Sequence, residues 1–422
     1  MVKFSFWCWS IGAGILLATM LVYHVNWSPN GRLTNLGYES VELGNSIALK
    51  GSFSDPFAPL PTGPSAHCAP VYPALVALII KMFGTGPDGN FALMMFTKIA
   101  VAAQLVLFPF LAEYMGLPCM TGAIAAAAWL VASFPLLPWE SDFAALLIVI
   151  LAFPMCRTFR QELSTAGAVG TGVLWGVLLL LTPTPLVVLG AWLVCLRVAT
   201  LCSWRQLFFL AMVPILVVSP WLVRNYRVFH KPVFLRDNLG LELAVSNNPC
   251  ATFSFAVNQK RTACFKSNHP NESYEEASRV RMLGEPIYNQ VRMREATTWI
   301  KNNRRHFLLL TAQRFVAFWF PNSSGNPLDE RLHPRSEWVT YVFTLLSIPG
   351  LLLLWRNSRF AAIVLSLWLS LFPLVHYLTH FSPHYRHPVL WATLIPGSYF
   401  VVELVSGIAG KSVGPGKLSA GA

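Results

Sequence analysis

Charge is what this 422-residue sequence has least of. Lys, Arg, Asp and Glu make up 12% of it and only 19 residues are acidic, whereas a soluble domain carries about a quarter charged residues. With 55% of positions hydrophobic and a mean hydropathy of +0.52, no water-soluble fold of this size hides so much apolar surface. A glycine-rich phosphate loop, a zinc-spaced Cys/His cluster and a serine-nucleophile elbow are all missing. Nucleotide-fold enzymes, zinc modules and the common serine hydrolases are thereby set aside. No internal repeat or inverted pair of halves appears. The formal charge of +12 invites a nucleic-acid reading, but the cations are scattered in short loops between apolar runs. Membrane-protein loops explain them better, and no nucleic-acid partner is expected.

What the sequence does have is apolar runs, at 7–23, 91–111, 120–137, 143–155, 166–181, 186–199, 207–223, 339–355, 360–378 and 389–405. With flanks added to reach the ~20 residues a bilayer requires, they predict an all-α polytopic membrane protein with about ten spans. The first run follows Lys3 and lacks a small-residue cleavage pattern, so it reads as an uncleaved span. An eleventh stretch, Val71–Phe83, is interrupted by Pro73 and Lys81, and its status decides the topology. If it does not span, Lys3, Arg157, Arg160, Arg197, Arg205, Arg356, Arg359, Lys411 and Lys417 all share one side. That is the positive-inside pattern of a bacterial inner-membrane protein. The stretch is therefore expected to lie at the outer interface.

The remaining loops, 26–90, 138–142, 182–185, 224–337 and 379–387, then share the periplasmic side, with nearly all the polar residues capable of chemistry. The expected organisation is a transmembrane core over 1–223 with a first periplasmic loop at 26–90, a small periplasmic domain over 224–337, and carboxy-terminal spans over 338–422. Residues 273–305, rich in Glu, Arg and Ala, are expected to be helical. Of the eight cysteines, Cys8, Cys119, Cys156, Cys195 and Cys202 lie in or beside apolar segments, where a thiol is a small hydrophobe. Cys250 and Cys264 sit in the hydrophilic segment and would form a disulfide in an oxidising compartment.

Several constellations on that side could carry chemistry. Val41, Ile47 and Ala48 predict an amphipathic helix that begins near Glu39 and ends near Gly51. A carboxylate there suits a general base at the membrane face, although acidic residues also simply favour helix amino termini. His67, in a Pro-rich entry to the interfacial helix, could donate to a phosphate oxygen, bind a metal, or merely pack. Glu140 and Asp142 sit at the outer end of the third span, where carboxylates are costly unless useful or hydrated. Arg224 and Arg386 are cations on the same side, suited to bidentate phosphate recognition but also to lipid headgroups.

Gly37-Tyr38-Glu39 through Gly51-Ser52-Phe53, Thr62-Gly63-Pro64-Ser65-Ala66 to Pro70-Val71-Tyr72-Pro73, Lys81-Met82-Phe83-Gly84, Trp139-Glu140, Pro220-Trp221-Leu222-Val223-Arg224-Asn225 and Tyr385-Arg386-His387-Pro388 occur in order across nearly the whole chain. Together they resemble the membrane glycosyltransferases of the GT-C fold, near the protein mannosyltransferases and aminoarabinose transferases. The resemblance implies inverting transfer of a sugar from a polyprenyl-phosphate carrier to a lipid, glycan or protein acceptor of the envelope. It implies Glu39 as base, Glu140 as second carboxylate, and Arg224 and Arg386 as phosphate binders; His67 stays a substrate-binding candidate on the reading of the residues alone. No cofactor is fixed; a divalent metal stays open. The family usually has an Asp where this chain has Leu36, one turn before Glu39, so Glu42 and Asp55 remain alternative bases. A multi-span transporter would instead carry ionisable groups in mid-span, and a noncatalytic scaffold of envelope-polymer assembly would need none of these residues.

Overall fold

The computed structural model describes residues 5–22, 39–132, 138–161, 163–260, 262–321 and 334–412. Leu36 lies outside them. Eighteen α-helices account for most of the described residues, with short 3-10 turns near the carboxy-terminal end. Extended pairing is limited there to two isolated bridges, Ser54 to Pro64 and Ser254 to Phe381.

The apolar runs become α1 (Phe6–Val22), α4 (Pro87–Tyr114), α5 (Cys119–Ala132), α6 (Glu140–Thr158), α7 (Thr165–Leu181), α8 (Leu186–Val198), α9 (Trp204–Phe229), α16 (Pro334–Asn357), α17 (Arg359–Leu371) and α18 (Leu390–Ser412). Among the described residues six segments are long and apolar enough to cross a membrane, namely α4, α6, α9, and those of α16, α17 and α18. Helices α1, α5, α7 and α8 are apolar but shorter, as is α3 (Val71–Phe83). Local chemistry sets several boundaries. Ser203 and Gln206 form a capping box at the start of α9, and Ser164 accepts from the Gly167 N–H at the start of α7. Between the helices the packing is aromatic and aliphatic. Trp175 of α7 lies against Trp192 of α8 and Trp368 of α17, with ring centroids 6.1 and 5.7 Å apart. Such close contact holds helices together in lipid, where no hydrophobic drive operates between them.

Polar contacts sort the connections onto two faces. On one, the Ser5 N–H and Cys8 Sγ donate to Glu113, Arg160 donates to the Tyr114 carbonyl at 3.0 Å, and Ser358 donates to the Met115 carbonyl at 2.8 Å. Arg160 also lies over the Phe360 ring. On the other face, Trp139 stacks on His384 at 5.3 Å, and the Phe255 N–H donates to the Phe381 carbonyl at 3.0 Å. The arginine-rich turns thus gather at one end of the bundle and the segments from 39 to 70, 138 to 142 and 379 to 389 at the other.

That second face carries the remaining helices. Helix α2 (Glu39–Lys50) stops where Gly51 takes φ +66°, a conformation glycine adopts at little cost. It lies tightly on α3, because a Cβ on Gly44 would stand 2.5 Å from a Val76 methyl. Above sits a small helical unit of α10 (Leu239–Ser246), α11 (Phe255–Lys260), α12 (Cys264–Asn268), α13 (Tyr274–Leu283), α14 (Glu285–Asn302) and α15 (Arg304–Trp319). Its own core is Leu241, Val245, Phe265, Val280 and Tyr288, joined by Phe57 from the first loop. Cys250 and Cys264 are linked by a disulfide, with Cα atoms 5.7 Å apart.

Candidate active site

Packing of α2 on α3 fixes the amino end of α2, and with it Glu39 and Ser40. Helix α6 begins at Glu140, immediately after extended Trp139. The two helix starts meet: Ser40 Oγ donates to Glu140 Oε2 at 3.0 Å. The other oxygen of Glu140 accepts from Arg236 Nη1 at 2.9 Å, and the side chains of this pair are 14% and 18% exposed. Arg236 Nε donates to the His67 carbonyl at 3.0 Å, and Cys68 Sγ stands 3.9 Å from Nη2. One guanidinium thus ties together the first loop, the start of α6 and the segment leading into α10.

Burial is the largest influence on the charged groups around that guanidinium, and their mutual charges modify it. Burial pushes the Glu39 carboxyl up to about 7; its own backbone N–H and Arg236 oppose the rise, and Glu242 and Glu140 add to it. Glu242, in the first turn of α10, is also raised, by burial against the opposing pull of Arg236. Burial works against the Arg236 charge, but Glu140 and its neighbours more than offset it, so its pKa is raised. A carboxyl near 7 at a helix start is half-ionised at neutral pH, the state in which a group can both accept and return a proton.

Two buried histidines line the same place. His67 is held neutral, its pKa pushed down to about 3 by burial and by Arg236; its ring meets Phe57 edge-on, and Nδ1 has no hydrogen-bond partner. His269 Nε2 lies 3.8 Å from Glu39 Oε1. Deeper, His387 Nδ1 is 3.2 Å from Asp142 Oδ1.

The other expected residues have more closed surroundings. Arg224, still within α9, donates to the Ser65 and Phe53 carbonyls at 2.6 and 2.9 Å and lies over the Phe53 and Trp221 rings. Arg386 is 4% exposed and donates to the Trp319 carbonyl and to Thr344 Oγ1, both at 2.6 Å, leaving Nε without a partner. Asp55, at φ +60°, is engaged by Lys50 at 2.8 Å and by the Gly63 N–H. Glu42 faces a separate cavity of about 160 Å³ shared with Asn45, Lys50 and Asp55. Glu39 and Glu140 therefore come together, Glu42 and Asp55 point elsewhere, and Arg224 braces the first loop. Sequence reasoning missed Arg236, Glu242, His269 and Cys68; the only signal for Arg236 was its place in Leu235-Arg236-Asp237-Asn238, just ahead of a helix start.

Among the described residues no three His, Cys, Asp or Glu side chains are disposed to hold a metal ion, and both oxygens of Glu140 are already engaged by Ser40 and Arg236.

No family model matches the sequence, and no curated protein does. Solved structures do match in fold. An oligosaccharyltransferase of Archaeoglobus fulgidus, tethered with an acceptor peptide, superimposes with a TM-score of 0.57 at 13% identity over 96% of this chain and 50% of its own. The AglB oligosaccharyltransferase of that organism, in complex with an inhibitory peptide and a dolichol-phosphate, gives 0.52 at 14% identity over 98% and 53%. ArnT from Cupriavidus metallidurans, bound to undecaprenyl phosphate, gives 0.36 at 12% identity, too low to carry an argument. The chain spans about half the length of the oligosaccharyltransferases it matches. At these identities the likeness is one of fold, and the fold of this chain is the all-α, polytopic, GT-C-like membrane architecture.

Proposed function

We propose that the chain is a membrane glycosyltransferase that moves a sugar from a polyprenyl-phosphate carrier to an acceptor of the cell envelope, a lipid, a glycan or a protein. The observation that carries this reading is the Glu39 carboxyl, poised near neutrality at one face of the bundle beside the Glu140–Arg236 pair. In this mechanism Glu39 removes the proton from an acceptor hydroxyl as its oxygen attacks the anomeric carbon. The bond from that carbon to the phosphate oxygen breaks, and the carrier departs as polyprenyl phosphate with both bonding electrons. A single displacement of this kind inverts the configuration. Arg236 limits the negative charge around Glu39 by pairing with Glu140, the Arg386 Nε, left without a partner, is the donor offered to the departing phosphate, and Arg224 and His67 shape the wall of the first loop.

The acting face is the periplasmic side of a bacterial inner membrane on this reading, with 1–223 and 338–422 as the membrane core and 224–337 as the periplasmic domain. Support comes from the arginine-bearing turns collected at the opposite end and from the Cys250–Cys264 disulfide, a bond typical of oxidising compartments.

The test is transfer from purified polyprenyl-phosphate sugars in liposomes, with donor binding followed separately. Glu39→Gln lowers turnover by about 10²–10⁴-fold, the usual loss for a positioned base, and leaves donor binding nearly unchanged. Normal turnover in that variant, with a donor the parent demonstrably uses, removes Glu39 from the chemistry and favours a scaffold.

A further inference from the structure

His269 approaches Glu39 from the extramembrane helical unit, and its ring is held in one orientation and one tautomer. It follows α12, whose first residue Cys264 is stapled to Cys250. Its N–H donates to the Phe265 carbonyl at 2.9 Å, and its ring stacks on the Phe265 ring with centroids 4.3 Å apart and planes inclined by 12°. The backbone N–H of Asn271 points at Nδ1 from 3.1 Å. A backbone N–H can only donate, so Nδ1 is the acceptor and, in the neutral ring, the proton sits on Nε2. Burial, with His67, His380 and Arg292 close by, drives the ring's pKa well below its ordinary value, so the neutral form is the relevant one. The protonated Nε2 is the atom 3.8 Å from Glu39 Oε1.

We infer that His269 is a positioning residue for Glu39: its Nε2–H aims the carboxylate and favours its ionised form, so the extramembrane unit completes the acid–base group of α2. The catalytic consequence rests on the reading of Glu39 as base; the pairing itself does not. The separation is longer than a formed hydrogen bond, so the pairing inferred is the one made when the Glu39 carboxylate, which is 19% exposed, turns toward Nε2. The other groups facing Glu39 are Glu242 of α10, Arg236 ahead of it, Glu140 of α6, Cys68 of the first loop and Tyr385 ahead of α18.

Two variants separate the N–H from the packing. His269→Phe keeps an aromatic ring against Phe265 and removes the donor; His269→Gln places an amide N–H where Nε2 stood. The intact detergent-solubilised protein is labelled with a carbodiimide and glycinamide from about pH 5 to about pH 9, and modification of Glu39 is read by peptide mass spectrometry, without any substrate. Loss of a donor to the ionised form raises a carboxyl's pKa. His269→Phe therefore shifts the Glu39 midpoint upward from about 7 by about one unit, a tenfold change in its ionisation constant, and His269→Gln restores the parent midpoint. In transfer assays the acid limb moves to higher pH in the Phe variant, and kcat falls while the donor KM holds. An unchanged midpoint in His269→Phe overturns the inference, as does a shift that Gln fails to restore. If the midpoints behave as stated while Glu39→Gln transfers normally, the pairing stands and the reading of Glu39 as base falls.

Discussion

Replacing Arg236 by Met probes whether the guanidinium is what allows three carboxylates to share one buried place. Its Nη1 is 2.9 Å from Glu140 Oε1 in a pair whose side chains are 18% and 14% exposed, so solvent screens it little. Removing one partner of such a pair leaves an uncompensated charge at a cost of about 3–5 kcal/mol. Glu39 and Glu242 lose the same cation, because Arg236 opposes the rise in both their pKa values. Adding Glu140→Gln removes the orphaned charge while keeping an acceptor for Ser40. The double variant should recover most of the loss, leaving a coupling of about 2–4 kcal/mol between the two sites. Thermal unfolding in one fixed detergent, with parent, both single variants and the double variant side by side, supplies the cycle. Carbodiimide labelling supplies an independent readout: without the cation the Glu39 midpoint climbs above about 7. If Arg236→Met melts with the parent, or the double variant melts no higher than Arg236→Met, the pair is not what holds this site together.

Gly44→Leu should lower stability by about 1–3 kcal/mol through overpacking, since even its Cβ would meet Val76 at 2.5 Å; Val76→Ala in the same chain should return part of the loss, read as melting temperature. Cys250→Ser/Cys264→Ser should cost about 3 kcal/mol in the loop-entropy account, and mass spectrometry of nonreduced parent peptides should find the two cysteines joined, free thiols being the contrary result. Arg386→Ala should weaken donor binding as well as slow transfer, whereas Arg224→Ala, which releases the Ser65 and Phe53 carbonyls, should chiefly lower the melting temperature; equal donor binding in Arg386→Ala and the parent would take that residue off the phosphate.

Local structure was legible wherever periodicity and backbone chemistry act over short range. Val41, Ile47 and Gly51 located α2 almost to the residue, and Val71–Phe83 is a helix over the span read for it. Residues 273–305 are helical as expected, divided at Gly284. Hydropathy alone misplaced several ends. Helix α9 runs on to Phe229, so Arg224 belongs to it rather than opening the domain, and it donates from there to the Ser65 carbonyl of the first loop. The run at 360–378 leaves the α-helical path at Leu371, because Pro373 in the next turn favours a tighter 3-10 winding over Phe372–Tyr377.

The site was legible only through topology. Glu140 and Arg236 are 96 residues apart, and Ser65 and Glu285 are 220 apart, yet Ser65 Oγ and Glu285 Oε2 stand at 2.6 Å. No spacing within one segment can report such meetings, since periodicity says which face of an element is apolar and nothing about which loop faces which. Counting spans and weighing cationic loops does carry that information, because it assigns each loop to a side before any contact is known. It put residues 26–90, 138–142, 224–337 and 379–387 together, and in the fold Ser40 meets Glu140, Arg236 meets His67, and Trp139 meets His384. Within that shared face, Glu39 was singled out as a carboxylate near a helix start and Glu140 as a carboxylate at the outer end of the third span. Arg236, Glu242 and His269 lie in a polar segment where charged residues are ordinary. Only their burial distinguishes them, and burial there is set by how α10, α12 and α14 pack, a tertiary outcome that the local pattern of those short helices does not encode.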